Sequence, residues 1–437
     1  NSDTGEWIEH KTEDMPLGKI NIREESLRAN EESTRANYRG VGLAEMAYSI
    51  EYGKKNRCNG ELSLHVLDII QTTMSAANQG KTLEINTSCE VPSFFNIEDI
   101  SAILKWYKIK IMSNILNNIS KKLLVIGRAG MDIYPEPPGV KTEDVENFST
   151  HLGGSAANTC VALNQFGIKT DIVTCISDDS IGNFVKKKLE KFQIGIQYCR
   201  DVKNEFRTQL AVVETRFENC QSVLYRNNSC DLELCLEDIN KINFDQYGAV
   251  MISGTALSAE PSRTAVMQAI EICNNKKIPI VIDIDYRPYN WESDEVKSEV
   301  YKKALAKIDI IIGNDLEFNI ADNTDKGLEL ANQLIKNKPS IIIYKKGELG
   351  SELITKEYNK NFGIFSVIPL KPTGAGDAFN GGFISSLLQG NTIDDAVIKG
   401  SACAAIVVTK VACSSAMPNE DELKDFMKNN KINELGK

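Results

Sequence analysis

From Lys122 onward, short wholly apolar runs alternate with helical stretches, and this alternation constrains the fold more than any other feature. LLVIG (123–127), DIVTCI (171–176), AVMISG (249–254), PIVIDID (279–285), IDIIIGN (308–314) and SIIIYKKG (340–347) each read as a short strand buried on both faces. Stretches such as GSAANTCVALNQFG (154–167) and SRTAVMQAIEICNNK (262–276) lie between most of them and read as helices. The pattern predicts an α/β fold: a doubly wound, mostly parallel sheet with helices on both faces. One interruption stands out. TQLAVVETR (208–216) and CQSVLYRNN (220–228) read as two strands joined by a turn near Phe217–Asn219. A hairpin sits poorly in a parallel sheet, so a small β lid over a cleft is expected.

The 437 residues exceed what one small core needs, and a second unit is expected ahead of the first strand. RGVGLAEMAYSIEYG (39–53) and ELSLHVLDIIQTTMSAANQG (61–80) read as helices closed by Gly53 and Gly80, and KTLEI (81–85) as a strand. This gives a short α+β fragment over 1–95, with 1–35 polar and irregular. Residues 96–120 read as a linker, and the following domain runs over 121–428.

Several function classes are disfavoured. A net charge of −10 argues against nucleic acid or an anionic membrane as the main partner. No apolar run reaches membrane-spanning length, and the first residues lack the apolar core of a signal peptide, which predicts a cytoplasmic protein. Eleven cysteines without any C-x-x-C read as reduced, buried thiols. Three histidines without an HExxH give no zinc site. Chemistry must then rest on carboxylates, lysine, arginine and backbone amides.

The strongest chemical signal is KPTGAGDAFNGGF (371–383). Gly374, Ala375 and Gly376 open a helix that runs on through FISSLL, and small residues there let an anion approach the backbone amides. Asp377 falls in the first turn, where a carboxylate can take a proton from an attacking hydroxyl while the amides hold a phosphoryl group. Taken alone, T-G-A-G-D is also what a capped helix after a glycine turn looks like. Two arginines, Arg226 on the hairpin and Arg287 in DIDYRPYNW, are candidates to bind a carboxylate in bidentate fashion, which points to an acid sugar; structural ion pairing is the equal alternative.

TGAGDAFNGGF resembles the C-terminal signature of the PfkB, or ribokinase-like, carbohydrate kinases. LGGSAANTCVALNQFG (152–167) is similar to the N-terminal G-G-x-x-x-N segment of that family. The resemblance implies a ribokinase-like fold, ATP and Mg²⁺ as cofactors, and Asp377 as catalytic base with the 374–376 amides. It implies that Gly153, Gly154 and Asn158 approach the sugar hydroxyls, and that Asp132 in GRAGMDIYP binds substrate. Asn314 and Glu317, in GNDLEF, resemble the N-x-x-E motif near the Mg²⁺–phosphate network, with Glu317 reaching the metal through water. Lys345 and Gly347 in YKKGELG, together with Thr373, match positions that line the nucleotide. Without the family, these read as helix caps, a turn residue and a solvated lysine.

GRAGMDIYPEPPG, ETRFENCQSVLYRN, GTALSAEPSR, DIDYRPYNW and GSACAAIVV carry the resemblance further, to the branch acting on 5-dehydro-2-deoxygluconate in myo-inositol catabolism. It covers roughly 122–425 and implies a small acid-sugar substrate, with 2-keto-3-deoxygluconate or fructose as alternatives. Lys371-Pro372 stand before Thr373 where many members have an Asp. Members of the family often pair through the lid, so a homodimer is a further expectation. Residues 39–95 resemble the C-terminal end of Gfo/Idh/MocA-type oxidoreductases, yet no G-x-G-x-x-G occurs anywhere in the chain, so NAD binding by that route is not expected. A fusion of such a tail to a complete kinase, a kinase starting near Met112, a longer parent chain, and a non-catalytic scaffold are the readings this leaves.

Overall fold

The computed structural model describes residues 41–91 and 122–433, apart from 204 and 217, and between those stretches Ile103 and Leu116 alone. The chain divides into two units, Asn1–Met112 and Ser113–Lys437. The expected polar stretch 1–35 and the Met112 start lie outside the described residues, as does the linker reading of 96–120 apart from Ile103 and Leu116.

In the first unit, α1 (Val41–Glu51) and α2 (Gly60–Gln79) form where the apolar spacing places them. Asn59 caps α2 by accepting from the Leu62 N–H, and Gly80 closes it in the left-handed conformation. The strand expected over 81–85 does not form. A lone strand has no ladder to join among the described residues. The segment beyond it is instead held by the Asp68 carboxylate, which accepts from the Asn86 and Thr87 amides at 2.9 Å each. Leu64, Leu67, Ile70 and Met74 of α2 are exposed.

The second unit begins with β1 (Lys122–Ile126), β2 (Gly130–Glu136), β3 (Asn147–Gly153), α3 (Ser155–Gln165), β4 (Thr170–Ser177), α4 (Ser180–Lys191) and β5 (Gly195–Val202). There follow β6 (Leu210–Val213), β7 (Ser222–Tyr225), α5 (Leu236–Asn240), β8 (Tyr247–Ser253), α6 (Ser262–Lys276), β9 (Ile280–Asp283) and α7 (Asp294–Leu305). The unit ends with β10 (Ile310–Asn314), α8 (Asp315–Asp322), α9 (Gly327–Leu334), β11 (Ile341–Lys345), β12 (Ser351–Thr355), β13 (Asn359–Phe362), α10 (Ala375–Leu388), α11 (Ile393–Val408) and α12 (Glu420–Asn429).

Nine strands form one sheet in the order β13-β12-β11-β10-β9-β8-β1-β4-β5. All pairings are parallel except those of β12 with β11 and β13. Every residue of β4 and β8 is buried, the signature of strands covered on both faces. Leu124 and Ile126 of β1 pack with α6, α7, α8 and α9 in one core. Leu123 and Val125 point the other way by the pleat and are equally buried, on the side where α3 meets β1 and α10.

The hairpin of β6 and β7 stands outside this sheet, as its sequence position demanded. It belongs to a separate four-stranded sheet in the order β3-β2-β6-β7. The two strands β2 and β3, antiparallel from Gly130–Gly153 to Glu136–Asn147, were not visible as strands in the sequence.

Candidate active site

In a parallel sheet the residues at and beyond the strand C-termini collect along one edge. Here that edge receives Arg128 after β1, Ser253 closing β8, Asp283 closing β9, Asn314 closing β10 and Lys345 closing β11. The N-terminus of α10 brings the glycine-rich turn to the same place.

Gly374 caps α10 with φ 88° and ψ −7°, and a Cβ on it would lie 2.8 Å from the Cys413 sulfur, so only glycine fits. A Cβ on Gly376 would meet Lys345 Nζ at 3.5 Å and Asp283 Oδ2 at 3.9 Å. An ammonium and a carboxylate thus stand beside the turn. Lys371 shapes the turn from beneath: it is fully buried, and its ammonium donates to the Thr373 carbonyl. Thr373 and Ala375 are half-buried in the same turn. Asp377 is half-buried in the first turn and accepts from Asn158 Nδ2 at 2.9 Å. Burial and the charge of Asp285 raise the Asp377 carboxyl to about 7, against the opposing Asn158 hydrogen bond. A carboxyl poised there is suited to taking up a proton near neutrality.

On the far side of the turn, Asn314 and Glu317 form a reciprocal cap. The Asn314 side chain accepts from the Glu317 N–H at 2.8 Å, and the Glu317 carboxylate accepts from the Asn314 N–H at 2.7 Å. The cap is real, but Glu317 is buried rather than a surface residue. Burial and the neighbouring Asp283 raise it to about 7, partly offset by Lys345. Lys345 is half-buried, 3.9 Å from Asp283, and its ammonium is favoured by Asp283 and Glu317 against the cost of burial. Asp283 also accepts from Asn380, and its Oδ1 lacks a hydrogen-bond partner. Crowded carboxylates with an orphaned oxygen, next to open amides, fit phosphate groups arriving together with a cation. Among the described residues, no three His, Cys, Asp or Glu side chains gather closely enough to hold a metal unaided. Gly347 is exposed with φ 57°, just beyond β11.

The opposite flank lies where the two sheets meet. Asp132 is a buried strand residue rather than a turn residue, and it accepts from the Tyr134 hydroxyl at 3.2 Å. Burial raises its carboxyl to about 6, although Arg128 and Tyr134 pull it down. Gly153 backs onto this carboxylate, and Gly154, with φ 91°, lies on the Arg128 carbonyl. Arg226 follows β7, is buried, and pairs with Asp231. Arg287 reaches Asp285 at 2.9 Å. Asp285 has φ 39°, a strained conformation for a residue with a side chain. Burial pushes its carboxyl up, but Arg287 and Arg128 outweigh this and hold it at about 2.

The Asp377 turn, the carboxylate–lysine cluster and the arginines thus gather at the strand ends, near enough for Asp283, Asp285 and Arg128 to act on the ionisation of Asp377, and for Glu317 and Asp377 to act on that of Arg287. A family model for pfkB family carbohydrate kinases matches residues 120–420. This chain belongs to the PfkB family of carbohydrate kinases. The 5-dehydro-2-deoxygluconokinase of Photobacterium profundum is 36% identical over 311 residues, spanning 70% of this chain and 94% of that one. Its counterpart in Halalkalibacterium halodurans is 34% identical, spanning 69% and 93%. Among solved structures, an E. coli ribokinase II in complex with ATP and Mg²⁺ superposes with a TM-score of 0.64 at 18% identity, over 71% of this chain and 99% of that one. A Vibrio cholerae fructokinase bound to fructose, ADP and calcium gives 0.61 at 23%, over 71% and 100%. These two fix the PfkB fold. As a PfkB carbohydrate kinase the protein is an ATP-dependent phosphotransferase acting on a small-molecule sugar. No helix among the described residues is long and apolar enough to cross a membrane.

Sequence reasoning missed Arg128, Asp283, Asp285, Lys371 and Asn380 as residues of this PfkB crevice. For Arg128, Asp283 and Asp285 the available signal was position: a charged residue at the end of a wholly apolar run has no reason to be there except at the sheet's functional edge.

Proposed function

We propose that this kinase phosphorylates the terminal hydroxyl of an acid sugar, with 5-dehydro-2-deoxy-D-gluconate as substrate and its 6-phosphate as product. The observation that carries the reading is Asp377, half-buried at the mouth of α10, bonded to Asn158 and raised to about 7. Asp377 takes the proton of the attacking hydroxyl, and the amides of Gly374, Ala375 and Gly376 stabilise charge on the phosphoryl in flight. Asp132, Asn158 and the backbone of Gly153 and Gly154 hold the sugar hydroxyls, while Arg226 and Arg287 receive the acid end. Lys345, Asn314, Gly347 and Thr373 would line the phosphates, and Glu317 would hold the metal through water. Bound Mg-ATP supplies the phosphoryl group and neutralises charge on its oxygens. The names of the relatives at 34–36% identity support the substrate.

Closure of the four-stranded sheet over the crevice excludes water from the transfer. Its edge strand β7 exposes Val223 and Tyr225, which supports a homodimer formed through this lid. The kinase domain spans 121–428 and works in the cytoplasm; residues 1–95 are an oxidoreductase-type C-terminal fragment. A coupled ADP-release assay with Mg-ATP tests the reading on 5-dehydro-2-deoxygluconate, 2-keto-3-deoxygluconate, fructose and ribose. Turnover on the first acid above the others is expected. Preference for fructose or ribose would refute the acid-sugar assignment.

A further inference from the structure

Three arginines meet beneath the four-stranded sheet, and they differ in what they have left to donate. Arg287 is engaged: its Nη2 lies 2.9 Å from Asp285 and its Nη1 donates to the Tyr286 carbonyl at 2.6 Å. Arg128 and Arg226 are only 6% and 2% exposed, and both keep donors in reserve. Nε of Arg128 and both Nε and Nη1 of Arg226 have no partner, and neither has the adjacent Gln209 Nε2. Buried guanidinium N–H groups left unpaired are costly, and a cluster of them on one spot calls for an acceptor that arrives from outside.

The position of these donors says which acceptor. Gln209 precedes β6 and Arg226 follows β7, so the base of the lid supplies them. Arg128 Nη1 donates to Gln209 Oε1 at 2.8 Å, while its Nη2 stands 3.7 Å from Asp285, beyond a hydrogen bond. Burial disfavours the Arg128 charge; Asp285 and Asp231 favour it, and the nearby Arg287 and Arg226 repel it. Asp285, Asp231 and the buried Asp132 answer the arginine charges, yet Nε of Arg128, Nε and Nη1 of Arg226 and Nε2 of Gln209 still lack an acceptor. This cluster lies on the Asp132–Gly154 flank, not on the Lys345–Gly376 flank that suits phosphate.

We propose that Arg128, the charged residue that follows β1 in GRAGMDIYP, seats the carboxylate of the acid sugar, together with the free N–H groups of Arg226. This rests on the acid-sugar reading above and gives it an orientation: carboxylate under the lid, terminal hydroxyl at Asp377. Arg287, already held by Asp285, then contributes to the acid end alongside Arg128 and Arg226.

The test compares wild type, Arg128→Met and Arg128→Lys on 5-dehydro-2-deoxy-D-gluconate and on neutral D-fructose, with Mg-ATP. In Arg128→Met, kcat/KM on the acid should fall on the order of 100-fold, as when one partner of a buried charge pair is truncated. The loss on fructose should be roughly tenfold smaller, so that the acid-to-fructose ratio of kcat/KM falls, and the KM for Mg-ATP should hold. Arg128→Lys keeps a charge against Asp285 and should show a smaller loss in the same direction; it carries the test if the Met variant does not fold. Without ATP, D-gluconate should raise the melting temperature of wild type and not of Arg128→Met, and D-glucitol should raise neither. Equal losses on both acceptors, or no loss on the acid, would overturn the assignment of Arg128 alone. A wild type that prefers fructose would instead overturn the acid-sugar reading, and the assignment with it.

Discussion

Asp377 sits among like charges, with Asp285 and Asp283 both acting against its ionised form. Only the deprotonated carboxylate can accept the hydroxyl proton, so kcat/KM should rise as pH increases through about 7 and level off above it. Initial rates across that range check this. Asp377→Asn should lower kcat by roughly 10²- to 10⁴-fold, the usual worth of general-base catalysis, with the KM for Mg-ATP little changed. The same substitution has a stability consequence with a definite sign. An Asp carboxyl ionises near 4 in the unfolded chain and near 7 here, so the native state holds the extra proton between those values. Stability contributed by the protonated form is present at low pH and is lost as pH rises through about 7. A neutral Asn escapes that loss, so the melting temperature of Asp377→Asn relative to wild type should climb from about pH 5 to about pH 8.

Asn158 and Asp377 come from different helices, and the contact between those helices sets their distance. One turn beyond Asn158 on α3 lies Ala162, and one turn beyond Asp377 on α10 lies Gly381. A Cβ on Gly381 would stand 2.2 Å from the Ala162 Cβ, too close for real atoms. Gly381→Ala must therefore spread α3 from α10, at a cost of about 1–3 kcal/mol for overpacking. Because the spreading lies next to the Asn158–Asp377 hydrogen bond, kcat should fall along with the melting temperature. Thermal unfolding and ADP release on the same preparation check both. Gly381 was legible as part of a glycine pair in the signature, but a ligand approach and a helix crossing ask for the same small residue and only the packed helices tell them apart.

Every residue of the crevice lies in the unit Ser113–Lys437, and the relatives align over 93–94% of their own length to about 70% of this chain. A chain starting at Ser113 should therefore keep the kcat and KM of the full-length kinase, measured by the same ADP-release assay. A large loss of kcat on removing residues 1–112 would show that the first unit takes part in the reaction. At the acid end, Asp285 and Glu214 are both held at about 2, in each case because ionic and hydrogen-bond partners outweigh the effect of burial. Their contribution is present above the unfolded carboxylate range and is lost as pH falls from about 4 toward about 2. Unfolding followed during acid titration should steepen in that window and shift upward in Arg216→Ala, which removes the guanidinium bonded to Glu214.

The amino-acid sequence by itself determined the parallel sheet, because strands buried on both faces must be wholly apolar and the helices between them amphipathic. It also determined the glycine turn with Asp377, since only small residues let amides face an anion. Three things were left to the tertiary structure. Strand β2, buried although its sequence is not an apolar run, finds one partner in β6, 79 residues further on (Met131 with Leu210), and β3 joins the sheet only through β2. The failed strand at 81–85 lacked such a partner among the described residues. The charged residues Arg128, Asp283 and Asp285 gained their meaning only when parallel pairing gathered the ends of β1 and β9 with the lid, since proximity between residues far apart in sequence is a property of the fold.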